Sequence, residues 1–373
     1  MKIAVHISRL LVGCLFVFSG LVKAIDPLGL GYKMQEFFEV WASDGYFPGL
    51  MNYLHTQSLW FSILMIVLEI VLGVALLIGW RKKPILTLLL LLTLFFTFLT
   101  GFVLFTGKIR ACGCFGDCIP LTPIQTFVKD IILTVLIIFL LVYNKHISPL
   151  FKGIGAVIIL FTVLFLATFL QGFVLKHLPL KDCLPYKKGN NLLELRKMPA
   201  GAIPDQYEYL FIYEKGGIKK EFSTTNLPDS SWIFSERIQK LITKGKNNVP
   251  AISDFTLADS AGVNLTETIL GQSGTYYLFF LQNLQGGTNK WWTDFNDFYD
   301  KIRQLNRPVY IITSDRDNVN ALFNINHHFN IAIMTCDATA IKTAARANPT
   351  LYVMNGPVVQ EKYSWADLDK VGK

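Results

Sequence analysis

Five apolar runs constrain this chain more than any other feature. They lie at about 7–25, 59–79, 85–106, 124–143 and 150–174. A helix needs about 20 apolar residues to cross the hydrocarbon core of a bilayer. No backbone group there can be left to water, so each run must close its hydrogen bonds as a helix. The 373 residues are 52% hydrophobic with mean hydropathy +0.39, more apolar than an ordinary soluble domain. Charge is unevenly placed: 19 charged side chains fall in residues 1–175 and 43 in residues 176–373. The first run is followed by no small-residue cleavage site and reads as a retained span.

The loops orient the spans. Lys2, Arg9, Arg81, Lys82, Lys83, Lys145 and Lys152 fall on one side with no acid among them. The opposite side carries Asp26, Glu36, Glu39, Asp44 and Asp117. The positive-inside rule places the first set in the cytoplasm. Five spans then put the stretch "RACGCFGDCIP" and everything after about residue 176 outside. The net charge of +8 forms no basic stripe interleaved with aromatics, so no nucleic acid is expected as a partner.

The organisation expected is a four-helix membrane domain over 1–146, a fifth span over 147–176, a small exported linker region over 177–248, and an α/β domain over 249–373. In the linker region, "YEYLFIYEKGGIKKEF" reads as two strands around Gly216-Gly217. Beyond "TKGKNNVP" the pattern alternates between strand and helix. "TYYLFFLQ", "PVYIIT" and "NIAIMT" are strands, while "KWWTDFNDFYDKIRQL" and "DATAIKTAARA" have helical spacing. "PTLYVM" and "VVQEKY" form a hairpin across Asn355-Gly356, and a short helix starts near Trp365. This order implies an α/β layer structure with a mixed sheet.

Half of the six cysteines, Cys112, Cys114 and Cys118, fall within seven residues of one outer loop. Three readings compete. The cluster can exchange disulfides, it can hold one static bridge, or it can bind zinc with His177 and Cys183 completing the ligands. An exported site favours sulfur chemistry. Cys114 and Cys118 close with less strain than Cys112 and Cys114, which makes them the expected pair. Cys112 then becomes the attacking thiol, with Lys108 and Arg110 lowering its pKa against Asp117, or the link to Cys183. Cys14 reads as packing within the first span, and Cys336 as a buried, inert thiol.

Glu69 lies near the middle of the second span, where a carboxylate needs a partner or a pathway. Lys23 can reach it from the outer end of the first span by snorkelling. Lys129 and Asp130 are a second candidate polar pair. The functional reading is a proton or quinone site beneath the thiols, and the alternative is a pair that packs helices.

Three segments carry a family resemblance: "ISRLLVGCLFVFSGLVKAIDP", "LEIVLGVALLIGW" and "FFTFLTGFVLFTGKIRACGCFGDC". Together they resemble the DoxX/MauE type of four-helix membrane proteins, over about residues 1–143. That resemblance implies chemistry of sulfur, disulfides or quinones at the outer face, carried by Cys112, Cys114 and Cys118. Residues 250–373 resemble a thioredoxin-like domain of the TlpA/peroxiredoxin type, with Pro349 at the position usually cis. The family places C-x-x-C after the first central strand, and here the sequence is "NLQGGTNKWW". The domain is therefore expected to lack thiol chemistry of its own and to keep a partner-binding groove at Asn348 and Pro349.

The function expected is thiol–disulfide exchange with exported thiol proteins at a bacterial cytoplasmic membrane. Its residues are Cys112, Cys114, Cys118 and Cys183, with Lys23 and Glu69 as a possible quinone site. The competing reading is a membrane-anchored assembly factor with one structural disulfide.

Overall fold

The computed structural model describes residues 1–109, 113, 115–151, 153–243, 245–284 and 287–372. Among them, five helices are long and apolar enough to cross a membrane. These are α1 (Lys2–Ala24), α4 (Ser58–Ile78), α5 (Lys82–Thr106), α6 (Pro123–Val142) and α7 (Ile154–His177), each matching an expected run to within a few residues. Two further helices, α2 (Pro27–Ser43) and α3 (Pro48–Thr56), fill the loop between α1 and α4 and were not expected. Asp26 caps α2 by accepting from the backbone of Gly29, and Pro27 sits at the first helical position, where its missing N–H is no loss. Leu30, Met34, Phe37 and Phe38 then form a buried stripe at helical spacing.

Small residues set the closest approach in the bundle. A Cβ at Gly73 would stand 3.0 Å from the Gly13 carbonyl oxygen, and one at Gly20 would stand 2.5 Å from Ile70. Within lipid, such contacts let helices pack by direct backbone approach. They draw α1 against α4 and bring Lys23 opposite Glu69. At the other end of α1, Arg9 is buried and donates to the Leu76 carbonyl at 2.9 Å and the Ser148 carbonyl at 3.0 Å. It adds to the Gly79 N–H on the Leu76 carbonyl, one of the last four of α4, and ties that end of α4 to the segment before α7. The apolar outer faces of α6 and α7 stay exposed, as lipid-facing surfaces do.

After α7 the chain runs through α8 (Leu192–Leu195) into two sheets. The expected hairpin forms from β1 (Gln206–Lys215) and β2 (Ile218–Ser223), and a third strand, β3 (Ile233–Thr243), pairs with the free edge of β1. After α9 (Thr266–Gly271) comes β4 (Thr275–Phe280). The chain continues through α10 (Trp292–Gln304), β5 (Val309–Thr313), α11 (Arg316–Asn320), β6 (Ala332–Thr335), α12 (Ala338–Ala344), β7 (Thr350–Asn355) and β8 (Val358–Ser364). The sheet order is β6-β5-β4-β7-β8, with β4, β5 and β6 parallel and β7 and β8 antiparallel. This is the mixed sheet expected.

Strand β4 is buried on both faces. Tyr277, Phe279 and Leu281 pack with Trp291, Phe295 and Phe323. Tyr276, Leu278 and Phe280 pack on the opposite side with Ile341, Ala344 and Tyr352. Tyr186 and Leu192, from the segment read as a linker, are buried in that second core. The chain leaving α7 is thus tied into the α/β layers rather than spaced from them.

Candidate functional site

Cys118 is joined to Cys183, with Cα atoms 4.9 Å apart. The expected Cys114–Cys118 pair is therefore not the one formed. Cys112 and Cys114 lie outside the described residues, as does Arg110. Local spacing favoured the short ring, but loop closure grows only slowly more costly with length. Tertiary contacts decide the partner instead. Asp117 precedes Cys118 and accepts from Arg346 Nη2 at 2.9 Å. Asp182 precedes Cys183 and pairs with Lys362 Nζ at 2.5 Å. Each cysteine of the bond thus follows an aspartate gripped by a cation from the α/β layers.

Arg346 follows α12 and is 5% exposed. Its Nε also donates to Asp26 at 2.9 Å, its Nη1 to the Lys342 carbonyl, and its plane lies 5.3 Å from the Tyr32 ring. Burial pushes the Asp26 carboxyl above its ordinary value, against the pull of Arg346. Burial opposes the Arg346 charge, but Asp26 and Asp117 outweigh it and hold the guanidinium above its ordinary value. Burial holds Lys362 below its own ordinary value, against Asp182.

The peptide bond between Asn348 and Pro349 is cis, as expected. The Asn348 amide is internally satisfied: it accepts from the Gln282 backbone at 2.9 Å and donates to the Asn283 carbonyl at 2.8 Å. Gln282 and Asn283 begin the stretch that lacks C-x-x-C. Tyr32 of α2 donates to Gln282 at 3.3 Å, so the membrane part reaches the loop beside Pro349.

Beneath the loop lies a polar pocket inside the bundle. Phe115 lines it, packed 5.9 Å from Phe18 and 5.1 Å from the Lys129 ammonium. Lys23 and Glu69 are ion-paired there, with side chains 2% and 1% exposed. Lys129 pairs with Asp130 at 2.5 Å, and Thr100 donates to the same carboxylate at 3.1 Å. Both expected polar pairs therefore form, and they line one pocket. The Glu69 Oε2 atom has no hydrogen-bond partner among the described residues. The room left is about 20 Å3, enough for one water. Lys23 and Glu69 answer each other's charge in it.

Three remaining residues can be placed. His177 contacts Asp367 at 3.0 Å and Cys183 is bonded to Cys118, so the zinc quartet is not assembled. Cys14 faces outward from α1 and not into its packing, a correction to the expectation. Cys336 is buried at 4% exposure, and burial pushes its thiol up to about 12. Sequence reasoning missed Asp26, Tyr32, Asp182, Arg346 and Lys362. The one available signal was the repeated doublet Asp117-Cys118 and Asp182-Cys183.

Comparison with known proteins now adds a frame. Residues 1–143 match the family model described as methylamine utilisation protein MauE. Residues 207–244, which take in all of β1 but Gln206, and β2 and β3, match a domain of unknown function, DUF8463. Protein TlpB of Flavobacterium psychrophilum is 36% identical over 143 residues, covering 36% of this chain and 34% of TlpB. The chain thus spans about a third of the length of the curated relative it matches. No solved structure matches. Five spanning-capable helices and this match make the chain a multi-pass membrane protein whose first 143 residues are similar to MauE.

Proposed function

We propose that this chain exchanges thiols and disulfides with exported proteins at the outer face of a bacterial cytoplasmic membrane. The N-terminus lies in the cytoplasm and the α/β layers in the periplasm. The observation that carries the reading is the Cys118–Cys183 bond, set in the same loop as Cys112 and Cys114 and gripped from both sides. A thiolate from Cys112 or Cys114 attacks Cys118 and releases the Cys183 thiolate, or a client thiolate does so and leaves a mixed disulfide. Either step exchanges one sulfur–sulfur bond for another and needs no outside oxidant. The α/β layers act as a thioredoxin-like unit without its own cysteines. Their strand order and the position of Gln282 at the end of the central strand support that reading.

The test is trapping. Cys112→Ser should accumulate reductant-sensitive adducts with periplasmic thiol proteins, while the wild type shows a reversible mixture of thiol and disulfide in intact cells. A second reading has one observation in its favour: the bond crosses 65 residues and ties the loop to the segment after α7, as a staple would. A fully oxidised bond in every cell sample, with no adducts in the variant, would establish the staple and end the exchange reading. Reporters fused after Tyr143 and after Tyr186 should read cytoplasmic and periplasmic respectively.

A further inference from the structure

A cleft opens between α2 and α12, with a volume of about 330 Å3. That lies in the range of small-molecule sites, roughly 300–1,000 Å3. Two of its wall residues are chain neighbours of the disulfide: Asp117 adjoins Cys118, and Leu184 adjoins Cys183. Cys118 and Cys183 are themselves part-exposed beside these wall residues.

The wall chemistry narrows the occupant. Leu184 is the one aliphatic side chain in it beyond alanine size, and the rest is polar, aromatic or charged. Lys342 stands on the α12 side, its ammonium 5.5 Å from the Tyr32 ring and donating to Gln35 at 3.2 Å. Glu39 and His55 line the cleft from α2 and α3. Lys33 and Glu36 are paired at 2.9 Å, and so are Arg346 and Asp117, which leaves Lys342 and Glu39 as the charged wall residues outside an ion pair among the described residues. A cation and a carboxylate lining one cleft suit a ligand with both a carboxylate and an amine. An apolar client segment finds little here to cover it.

We propose that this cleft is a subsite for a small zwitterionic thiol or its disulfide, of the amino-acid class. The inference rests on the exchange reading and names a substrate for it. The bound thiolate attacks Cys118 or Cys183, forms a mixed disulfide with that sulfur, and releases the other cysteine as a thiolate. One sulfur–sulfur bond is broken and one is formed, so electrons balance without a further reactant.

The test uses the oxidised full-length protein in lipid nanodiscs and four probes at matched thiolate concentration. These are cysteine, neutral 2-mercaptoethanol, cationic cysteamine and anionic thioglycolate. Opening of the Cys118–Cys183 bond and the adducts formed are followed by peptide mass mapping. Cysteine should react faster than the other three by on the order of fivefold, the scale of exposed charge pairs. Lys342→Gln and Glu39→Gln should each erase most of that preference and leave the 2-mercaptoethanol rate unchanged. Equal rates for the four probes, or a preference that survives both substitutions, overturn the subsite and leave the exchange reading intact. A bond that none of the probes opens removes both.

Discussion

Replacing Arg346 with alanine should loosen the α/β layers from the cysteine loop. The guanidinium bridges two carboxylates, and its side chain is 6% exposed against 20% for Asp26 and 38% for Asp117. Removing one partner of a buried ion pair costs roughly 3–5 kcal/mol. The exposure of Asp117 discounts its share, so the lower end, roughly 3 kcal/mol, is the expected loss. That corresponds to a local opening about a hundredfold more populated, at 1.4 kcal/mol per decade. Hydrogen exchange of the nanodisc-embedded protein reads it directly, in peptides spanning 26–36, 115–118 and 342–349. Arg346→Lys should recover only part of the protection, because an ammonium cannot span both carboxylates as a planar fork does. Lys301→Ala, on the exposed face of α10, is the control. The sign with pH also follows. Burial already raises the Asp26 carboxyl, and losing Arg346 removes the main influence that lowers it. A folded pKa raised above the unfolded one gives stability at low pH that is lost as pH rises, so the defect should shrink on acidification. Unchanged protection in these peptides, or a defect that grows with acid, would refute the bridge.

Other perturbations have definite outcomes. Glu69→Leu alone leaves the Lys23 charge buried and should cost roughly 3–5 kcal/mol, whereas Lys23→Met combined with Glu69→Leu should recover most of it; thermal melts in detergent decide this, and equal loss in both variants contradicts it. Cys336 should resist alkylation in the folded protein at neutral pH and react only after denaturation, since its thiol is 4% exposed and pushed up to about 12. Burial alone would raise Asp367, but hydrogen bonds from Lys370, Ser364 and His177 outweigh it and hold the carboxyl below 3.8. Its stabilisation is therefore present above about pH 4 and lost as pH falls through the folded value. Acid melts should show a steeper loss below pH 4 in wild type than in Asp367→Asn.

The spans and the α/β strands were legible because each answers a single strong demand. A bilayer requires apolar length, which the five runs display, and a sheet buried on both faces requires continuous apolar strands such as residues 275–281. The pair Lys23 and Glu69 was legible for the same reason, since charge at that depth must find charge. Helices α2 and α3 were not read, although Leu30, Met34, Phe37 and Phe38 repeat at helical spacing in α2, because the spans on either side are far more apolar. Strand β3 was hidden because "IFSERIQKLIT" lacks the apolar/polar alternation of a half-buried strand and is exposed throughout. The pairing of Cys118 with Cys183 depends on Arg346 and Lys362, which reach Asp117 and Asp182 across 229 and 180 residues. No local spacing carries that information.

The two clamps bear on more than where the bond forms. A disulfide that serves as a staple needs no ion pairs beside it, because the covalent bond alone holds its ends together. Here Arg346 and Lys362 grip the residues before each cysteine, so the sulfurs stay close after the bond opens. Holding two reactants in place turns reclosure into a nearly unimolecular step. Lys362→Met should therefore leave the rate of opening by a neutral thiol little changed and slow reclosure. The loss expected is roughly ten- to a hundredfold, the scale of a misplacement of about 1 Å. Stopped reoxidation with acid quenching, followed by mass mapping of the Cys118–Cys183 peptide, measures the reclosure rate. Reclosure at the wild-type rate in both Lys362→Met and Arg346→Ala would mean that the covalent frame alone keeps the cysteines together. The aspartate clamps would then have no part in the exchange.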